Sequence, residues 1–274
     1  MMATNIPASI SNQVTKNSPD RFIRLTFLIL SLSILSFLLK YVSEWTHEFL
    51  GHCGFGWLAG GFPQSWYVSW IWPLEFGYAN VTFPFGIGTT PRAIMMIGGI
   101  AACLIAALLS HSVVFLISRK KILPISSIST KKLIIFHILF WYGFWAFANS
   151  IGYLILGGLT NFGDIALFRI YTGAPSWIFI IIGFALFFLL FYLISFNASI
   201  IFHPLLPNTS SQKILTIFWL IIPLIFLLLF LNPDISVSTE IILASTGAMF
   251  LPSLIMVFLG NRFPKNITWK TFSQ

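Results

Sequence analysis

Residues 27–57 read FLILSLSILSFLLKYVSEWTHEFLGHCGFGW, an apolar run that carries two histidines and two glutamates in its second half. About 20 apolar residues cross a bilayer, so this run predicts a membrane helix that tilts, bends or emerges at one end. A charged side chain at membrane depth costs at least about 2.5–3.5 kcal/mol, which marks such a residue as a candidate for function. The string His47-Glu48-Phe49-Leu50-Gly51-His52 is therefore the first candidate site.

The rest of the 274-residue chain has the same apolar character. Hydrophobic residues make up 57% and charged residues 8%, and the mean hydropathy is +0.91. These values exclude an ordinary soluble domain, in which about a quarter of residues are charged, and they exclude a disordered chain. The composition predicts an all-α polytopic membrane protein with the lipid bilayer as its surroundings. Six segments are long enough to span, at 27–57, 93–117, 133–157, 177–202, 214–231 and 241–259.

The basic residues predict the orientation. With six spans, all of them except Lys40, Arg92 and Arg169 fall on one side of the membrane. The positive-inside rule then places both termini in the cytoplasm of a multi-pass protein of the cell membrane. This pattern accounts for the net charge of +8 without a nucleic-acid partner. It also places the polar string toward the outer half of the first span.

Residues 62–90 differ from the spanning segments. They read FPQSWYVSWIWPLEFGYANVTFPFGIGTT, rich in aromatic and β-branched residues with Pro and Gly, which predicts a re-entrant or interfacial hairpin. We expect a cytoplasmic tail at 1–24 and a membrane core at 25–172 that includes the hairpin. An additional three-helix region at 173–261 and a tail at 262–274 complete the predicted organisation.

The polar string predicts a zinc site. Two imidazoles can bind zinc, and Glu48 beside them can act as general base on a zinc-activated water. Zinc hydrolases commonly use HExxH, whereas His47 and His52 are five residues apart, about 140° further round a regular helix. A one-residue π-bulge would bring both rings to one face, and Gly51 would ease it. The alternative is two histidines packed in a bundle, with Glu48 paired to one of them.

The stretch from Ser36 to Ala79 resembles the first core helix and hairpin of the site-2 protease family of intramembrane zinc metalloproteases. Met96-Ile97-Gly98-Gly99-Ile100-Ala101 is similar to the small-residue patch of that family's next helix. Asn161-Phe162-Gly163-Asp164 stands where the family has an Asp ligand, although the usual Pro is missing. The resemblance implies that His47, His52 and Asp164 hold Zn²⁺, that Glu48 is catalytic, that Asn161 supports the site, and that the substrate is a transmembrane protein.

The motif departs from the family in one respect, because it is HExxGH rather than HExxH. The spacing itself is similar to that of the soluble dipeptidyl-peptidase III family, in which two histidines so spaced share one zinc. Nothing else in the chain resembles that family. The comparison indicates that the longer spacing is compatible with catalysis.

Other polar residues allow two interpretations each. Glu44 either accepts a hydrogen bond from a ligating imidazole or pairs with Lys40. Asn149 either hydrogen-bonds between helices or contacts substrate. The 62–90 hairpin either clamps an extended substrate or forms an aromatic belt. His111 and His137 are alternative ligands or packed histidines.

Three functions remain open at this point. The first is peptide-bond hydrolysis by metal-activated water in membrane-embedded substrates. The second is hydrolysis of a lipid amide or ester by the same chemistry, which product analysis would distinguish. The third is a non-catalytic transporter or binding protein, which predicts that Glu48→Gln leaves function intact.

Overall fold

The computed structural model describes residues 18–71, 75–120, 130–202, 205–206, 211–229, 231 and 238–239. The described part is mostly helical and contains one two-stranded sheet. The first helical run comprises α1 (Ser18–Leu30), π1 (Ser31–Leu35), α2 (Ser36–Trp45), π2 (Thr46–Cys53) and α3 (Gly54–Leu58). The later elements are β1 (Phe62–Tyr67), β2 (Tyr78–Thr82), α4 (Thr89–Lys120), α5 (Thr130–Leu159), α6 (Gly163–Thr172), α7 (Ser176–Phe202) and α8 (Ser211–Leu229).

Four helices in the described residues are long and apolar enough to cross a membrane: Leu25–Leu58, Thr89–Ser118, Lys131–Leu159 and Ser176–Phe202. They coincide with the first four predicted spans. Many of their large apolar side chains face outward, among them Phe37, Leu109 and Leu189. This outer surface suits lipid chains rather than water. The predicted fifth span falls on α8, which is not among the four, and the sixth lies outside the described residues, as do the tail residues 1–17 and 262–274.

The first spanning helix runs from Leu25 to Leu58 through two π segments. Each π segment takes up an extra residue between α-helical turns, so the long predicted run remains one continuous helix. The second segment, π2, contains the whole polar string. The predicted π distortion is therefore confirmed at the place where the histidine spacing required it.

Helices α4 and α5 pack against this first run, and α7 packs against α4 and α5 in turn. The bundle interior lies between α4, α5, α7 and α8 and is rich in large aromatic side chains, including Phe140, Phe144 and Trp219. In addition, π2 packs against α4, and the short helix α6 packs against both α4 and α5. The sequence placed residues 159–176 between two spans. In the structure they include the short helix α6, which packs against the same helix, α4, as the polar string does.

The segment predicted as a hairpin contains an antiparallel pair, β1 and β2, with Tyr67 opposite Tyr78. Its re-entrant or interfacial placement in a membrane stays a prediction. A bulge between Pro63 and Ser65 accommodates the proline, which cannot donate to a strand ladder. At the end of β1 and just after it, the hydroxyls of Tyr67 and Ser69 donate hydrogen bonds to Glu75 Oε2, at 3.0 and 2.8 Å. Strand β2 packs against π2, so the hairpin lies directly beside the polar string.

Candidate metal centre

Two histidines of π2 meet an aspartate from a distant part of the chain. His47 Nε2 lies 2.9 Å from Asp164 Oδ2, His52 Nε2 lies 3.2 Å from the same oxygen, and the two nitrogens are 3.2 Å apart. Both histidines are buried, and Asp164 is 15% exposed at its side chain. The structure thus brings together the three residues that the sequence proposed as metal ligands.

The π geometry is the reason that both histidines face Asp164. In π2 the amide of Gly54 bonds to the carbonyl of Phe49, five residues earlier, where an α-helix would use the residue four earlier. Residues five apart consequently lie one above the other on the same face. His47 and His52 have this separation, and their rings meet edge to face with centroids 4.8 Å apart.

Residues of helix α4 contact the Nδ1 atoms of both imidazoles. His52 Nδ1 donates to the carbonyl of Met95 at 2.8 Å, which leaves its Nε2 lone pair directed at the centre. His47 Nδ1 lies 3.9 Å from Cys103 Sγ, and that thiol donates to the carbonyl of Ser43. Buried second partners of this kind fix the ring orientation of metal-binding histidines.

Glycines make this close approach possible. A Cβ on Gly99 would lie 2.6–2.9 Å from three atoms of the His47 ring. A Cβ on Gly51 would collide with the Cα of Gly99, so the predicted small-residue patch of α4 packs against the polar string itself. Gly51 therefore serves close packing between the two helices, in addition to the ease of distortion predicted from the sequence.

Asp164 reaches the centre from the first turn of α6. The preceding residues make a sharp entry: Phe162 is extended, and Gly163 has φ 77°, a left-handed conformation that favours glycine. This explains why Gly rather than another residue precedes the carboxylate. Burial by itself raises the pKa of Asp164, but the His52 and His47 side chains outweigh burial and hold the pKa below its ordinary range.

A cavity of about 190 Å³ opens beside the three side chains. Glu48 lines it together with His52 and Asp164, so the proposed base shares one space with two of the proposed ligands. Gly77 and Ala79 of the hairpin region form another wall, and a Cβ on Gly77 would lie 2.9 Å from Glu48 Oε1. The remaining lining is largely apolar and comes from Phe76, Tyr78, Met96, Tyr153, Phe162, Gly163 and Leu167.

Tyr153 is a cavity residue that the sequence reasoning missed. Its ring stacks on the His47 imidazole, with centroids 4.6 Å apart and planes 19° apart. A tyrosine in an apolar helix has the pattern of an ordinary core residue. Its position in the sequence could have indicated it. Tyr153 lies one helical turn after Asn149 on α5, and the chain then bends once before it reaches Asp164.

The other predicted site residues lie outside this cavity lining. Asn149 donates to Glu44 Oε1 at 2.8 Å, and Glu44 Oε2 has no hydrogen-bond partner among the described residues. Glu44 therefore bonds an amide on α5 rather than a ligating imidazole. Asn161 is exposed at the corner between α5 and α6.

The two alternative histidine ligands also lie elsewhere. Ser31 Oγ donates to His137 Nδ1 at 2.7 Å, and Asn197 Nδ2 contacts His111 at its carbonyl and at Nδ1. Both histidines are buried, and neither lines the cavity. Their surroundings match the alternative interpretation, that of packed histidines.

Comparison with protein-family models, with curated proteins and with solved structures finds no match for the chain. The function is therefore inferred from the geometry of the site.

The donor set fits a metal ion. His47, His52 and Asp164 each offer one ligand atom, and these atoms lie within 4.8 Å of one another. Tetrahedral zinc with ligands about 2.0–2.1 Å away needs ligand atoms roughly 3.3 Å apart, close to the spacing of these three side chains. Two imidazoles and one carboxylate also leave a position for a further ligand, as in catalytic zinc sites. The group can hold a metal ion.

Proposed function

We propose that this chain is an intramembrane zinc metalloprotease of the site-2 protease type, which hydrolyses peptide bonds of membrane-embedded substrates. One observation carries the proposal: the ligand atoms of His47, His52 and Asp164 converge at a cavity that Glu48 also lines. His47, Glu48 and His52 belong to a helix long and apolar enough to cross a membrane. A cell-membrane location with both termini in the cytoplasm completes the proposal, supported by the distribution of basic residues.

His47, His52 and Asp164 would hold Zn²⁺ beside this cavity. When bound there, zinc supplies a Lewis acid that lowers the pKa of a water and polarises a carbonyl. Glu48 takes a proton from the attacking water, and the new C–O bond forms at the amide carbon. Glu48 then delivers this proton to the amide nitrogen as the C–N bond breaks, which gives a carboxylic acid and an amine.

The hairpin supports a peptide substrate rather than an arbitrary ester or amide. Gly77, Tyr78 and Ala79 line the cavity at the start of β2, so backbone from the sheet borders the site. A substrate must be extended to expose a peptide bond, because helical amides are hydrogen-bonded internally. A strand beside the base can receive such a segment through main-chain hydrogen bonds.

The experiment is cleavage of a synthetic peptide by the detergent-purified, zinc-loaded chain and by its Glu48→Gln variant. The probe is an internally quenched single-span peptide with Gly and Pro at its centre, which weaken its helix. We expect the wild type to cleave it, and Glu48→Gln to retain zinc while turnover falls about 10²–10⁴-fold. Mass spectrometry should find two fragments that together account for the peptide plus one water.

Three outcomes would count against the proposal. Equal cleavage by the wild type and Glu48→Gln would show that Glu48 is not the general base. Release of fatty acid from membrane lipids, with the peptide intact, would favour the lipid amide or ester hydrolase instead. Zinc binding without turnover of either substrate would favour the third function, a non-catalytic transporter or binding protein.

A further inference from the structure

The hydroxyl of Tyr153 makes no hydrogen bond to any residue that the structure describes. A tyrosine hydroxyl that lines a cavity and has no protein partner is free to bond a molecule in that cavity. Tyr153 is half-buried and lines the cavity together with Glu48, His52 and Asp164. Its hydroxyl is therefore an unused donor at the proposed reaction site.

The ring of Tyr153 is held in a defined place. One face stacks on the His47 imidazole, with a centroid distance of 4.6 Å. Its Cε1 and Cδ1 edge lies 3.3–3.4 Å from the position that a Cβ on Gly163 would occupy. The Cε1 atom adjoins the carbon that bears the hydroxyl, so the polar end of the ring lies near the entry to α6 and Asp164.

Neighbouring polar groups on α5 are already engaged. Asn149 donates to Glu44, and the Ser150 hydroxyl contacts the carbonyls of Ile100 and Ala146, at 3.1 and 3.0 Å. The other hydroxyl of the cavity lining belongs to Tyr78, which is 56% exposed and packs its ring against Tyr67 on the hairpin. Tyr153 is thus the cavity hydroxyl held against the ligand cluster.

A hydrogen-bond donor at this position would assist peptide hydrolysis in addition to the metal. As water attacks, the C=O electron pair moves onto oxygen, and a fixed donor stabilises the developing charge most strongly where water is excluded. Glu48 and Asp164 are carboxylates, and their ionised forms cannot donate a hydrogen bond. The cavity therefore supplies a base and a ligand cluster, and Tyr153 supplies the neutral donor.

We propose that Tyr153 is a catalytic residue, whose hydroxyl donates a hydrogen bond to the carbonyl oxygen of the scissile amide as that oxygen gains negative charge. The tyrosine keeps its proton throughout, and the electron pair returns to the C=O bond when the C–N bond breaks. This role rests on the proposed peptide hydrolysis at the same site. It assigns the substrate carbonyl to the side of the cavity between Tyr153 and the three ligands.

The test compares Tyr153→Phe with the wild type and with Tyr142→Phe. Tyr153→Phe removes the oxygen and keeps the ring that stacks on His47. Tyr142→Phe is a matched control on the same helix, since the Tyr142 hydroxyl bonds Thr46 Oγ1 at 2.9 Å and does not line the cavity. Zinc content, kcat and KM on the quenched peptide, and affinity for a phosphinic peptide that mimics the tetrahedral adduct are measured for each protein.

We expect Tyr153→Phe to keep its zinc and its KM while kcat falls about 10²–10³-fold, the loss typical of one such donor. Its affinity for the phosphinic peptide should fall by a similar factor, because a mimic of the transition state shares the interactions that lower the barrier. Tyr142→Phe should match the wild type in all three measurements.

Three results would overturn the assignment. Wild-type kcat and phosphinate affinity in zinc-loaded Tyr153→Phe would remove the role of Tyr153 and leave the protease proposal standing. Loss of zinc in Tyr153→Phe would indicate that Tyr153 supports zinc binding by packing against His47 and is not a catalytic residue. Zinc-loaded wild type that neither cleaves the peptide nor binds the phosphinate would contradict the protease proposal itself, and the role of Tyr153 with it.

Discussion

Two pairs of histidines occupy the same helical bundle in very different surroundings. His47 and His52 point their Nε2 atoms at one carboxylate oxygen beside a cavity. His111 and His137 are equally buried, but they contact Asn197 and Ser31 and line no part of that cavity. Burial of histidine in an apolar helix is therefore not the signal of a metal site. The distinguishing feature is a carboxylate brought from a distant part of the chain, here Asp164.

Among changes that leave the three ligands in place, the largest loss of zinc affinity should come from filling the space that α4 leaves for His47. In Gly99→Ala the new methyl group would collide with the imidazole and force it or the helix to shift, at a cost of about 1–3 kcal/mol. We expect zinc affinity to fall about 10–100-fold, as when other groups that orient a ligand are lost. Competition with a chromogenic chelator measures this affinity.

Gly54→Ala is the matched control for this prediction. Gly54 is helical, and a Cβ there would meet only the carbonyl of Phe49, at 3.8 Å. Alanine should be tolerated, with zinc affinity unchanged. Equal loss of affinity in both variants would show that any change near the polar string disturbs it, and would contradict the specific role given to Gly99.

The local features of the site could be predicted from the sequence, because they depend on short spacings. The i, i+5 histidines required a π distortion, and the aromatic run after the first helix required a hairpin. The partners of Glu44 and Asn149 could not be predicted from the sequence. The rotation of each helix about its axis decides whether the two side chains bond each other or whether they contact an imidazole or a substrate. Tyr153 was missed for the same reason: its sequence pattern is that of a core residue, and only the bend into α6 brings it to the cavity.

A smaller effect should follow when α6 is loosened from α5. Arg169 in the last turn of α6 donates to the carbonyls of Gly157 and Thr160 near the end of α5, both at 3.4 Å. These contacts help to hold the helix that carries Asp164. We expect Arg169→Met to weaken zinc binding by up to about 10-fold, the lower end of effects beyond the ligands.

Arg92→Met is the control for Arg169→Met, because Arg92 is exposed at the start of α4 and loses the same charge. Zinc affinity should not change in this variant. If both arginine variants weaken zinc equally, the cause is net charge rather than the position of α6.

The smallest effect on the metal should come from the second histidine pair. Trp141 Nε1 donates to Ser31 Oγ at 3.0 Å, and Ser31 donates on to His137. Ser31→Ala leaves both groups without this partner and should cost about 1–3 kcal/mol of unfolding free energy. Thermal unfolding in detergent should register the loss, while zinc affinity stays at the wild-type value. A loss of zinc in Ser31→Ala would contradict the separation of the two histidine pairs.

The most direct measurement is the zinc content of the detergent-purified chain beside three variants: His47→Ala, Asp164→Ala and His111→Ala. We predict about one zinc per chain in the wild type and in His111→Ala, with little or none in the other two, because a catalytic zinc site needs its three protein ligands. No zinc in the wild type under zinc-replete conditions, or full zinc in Asp164→Ala, would contradict the metal centre formed by His47, His52 and Asp164.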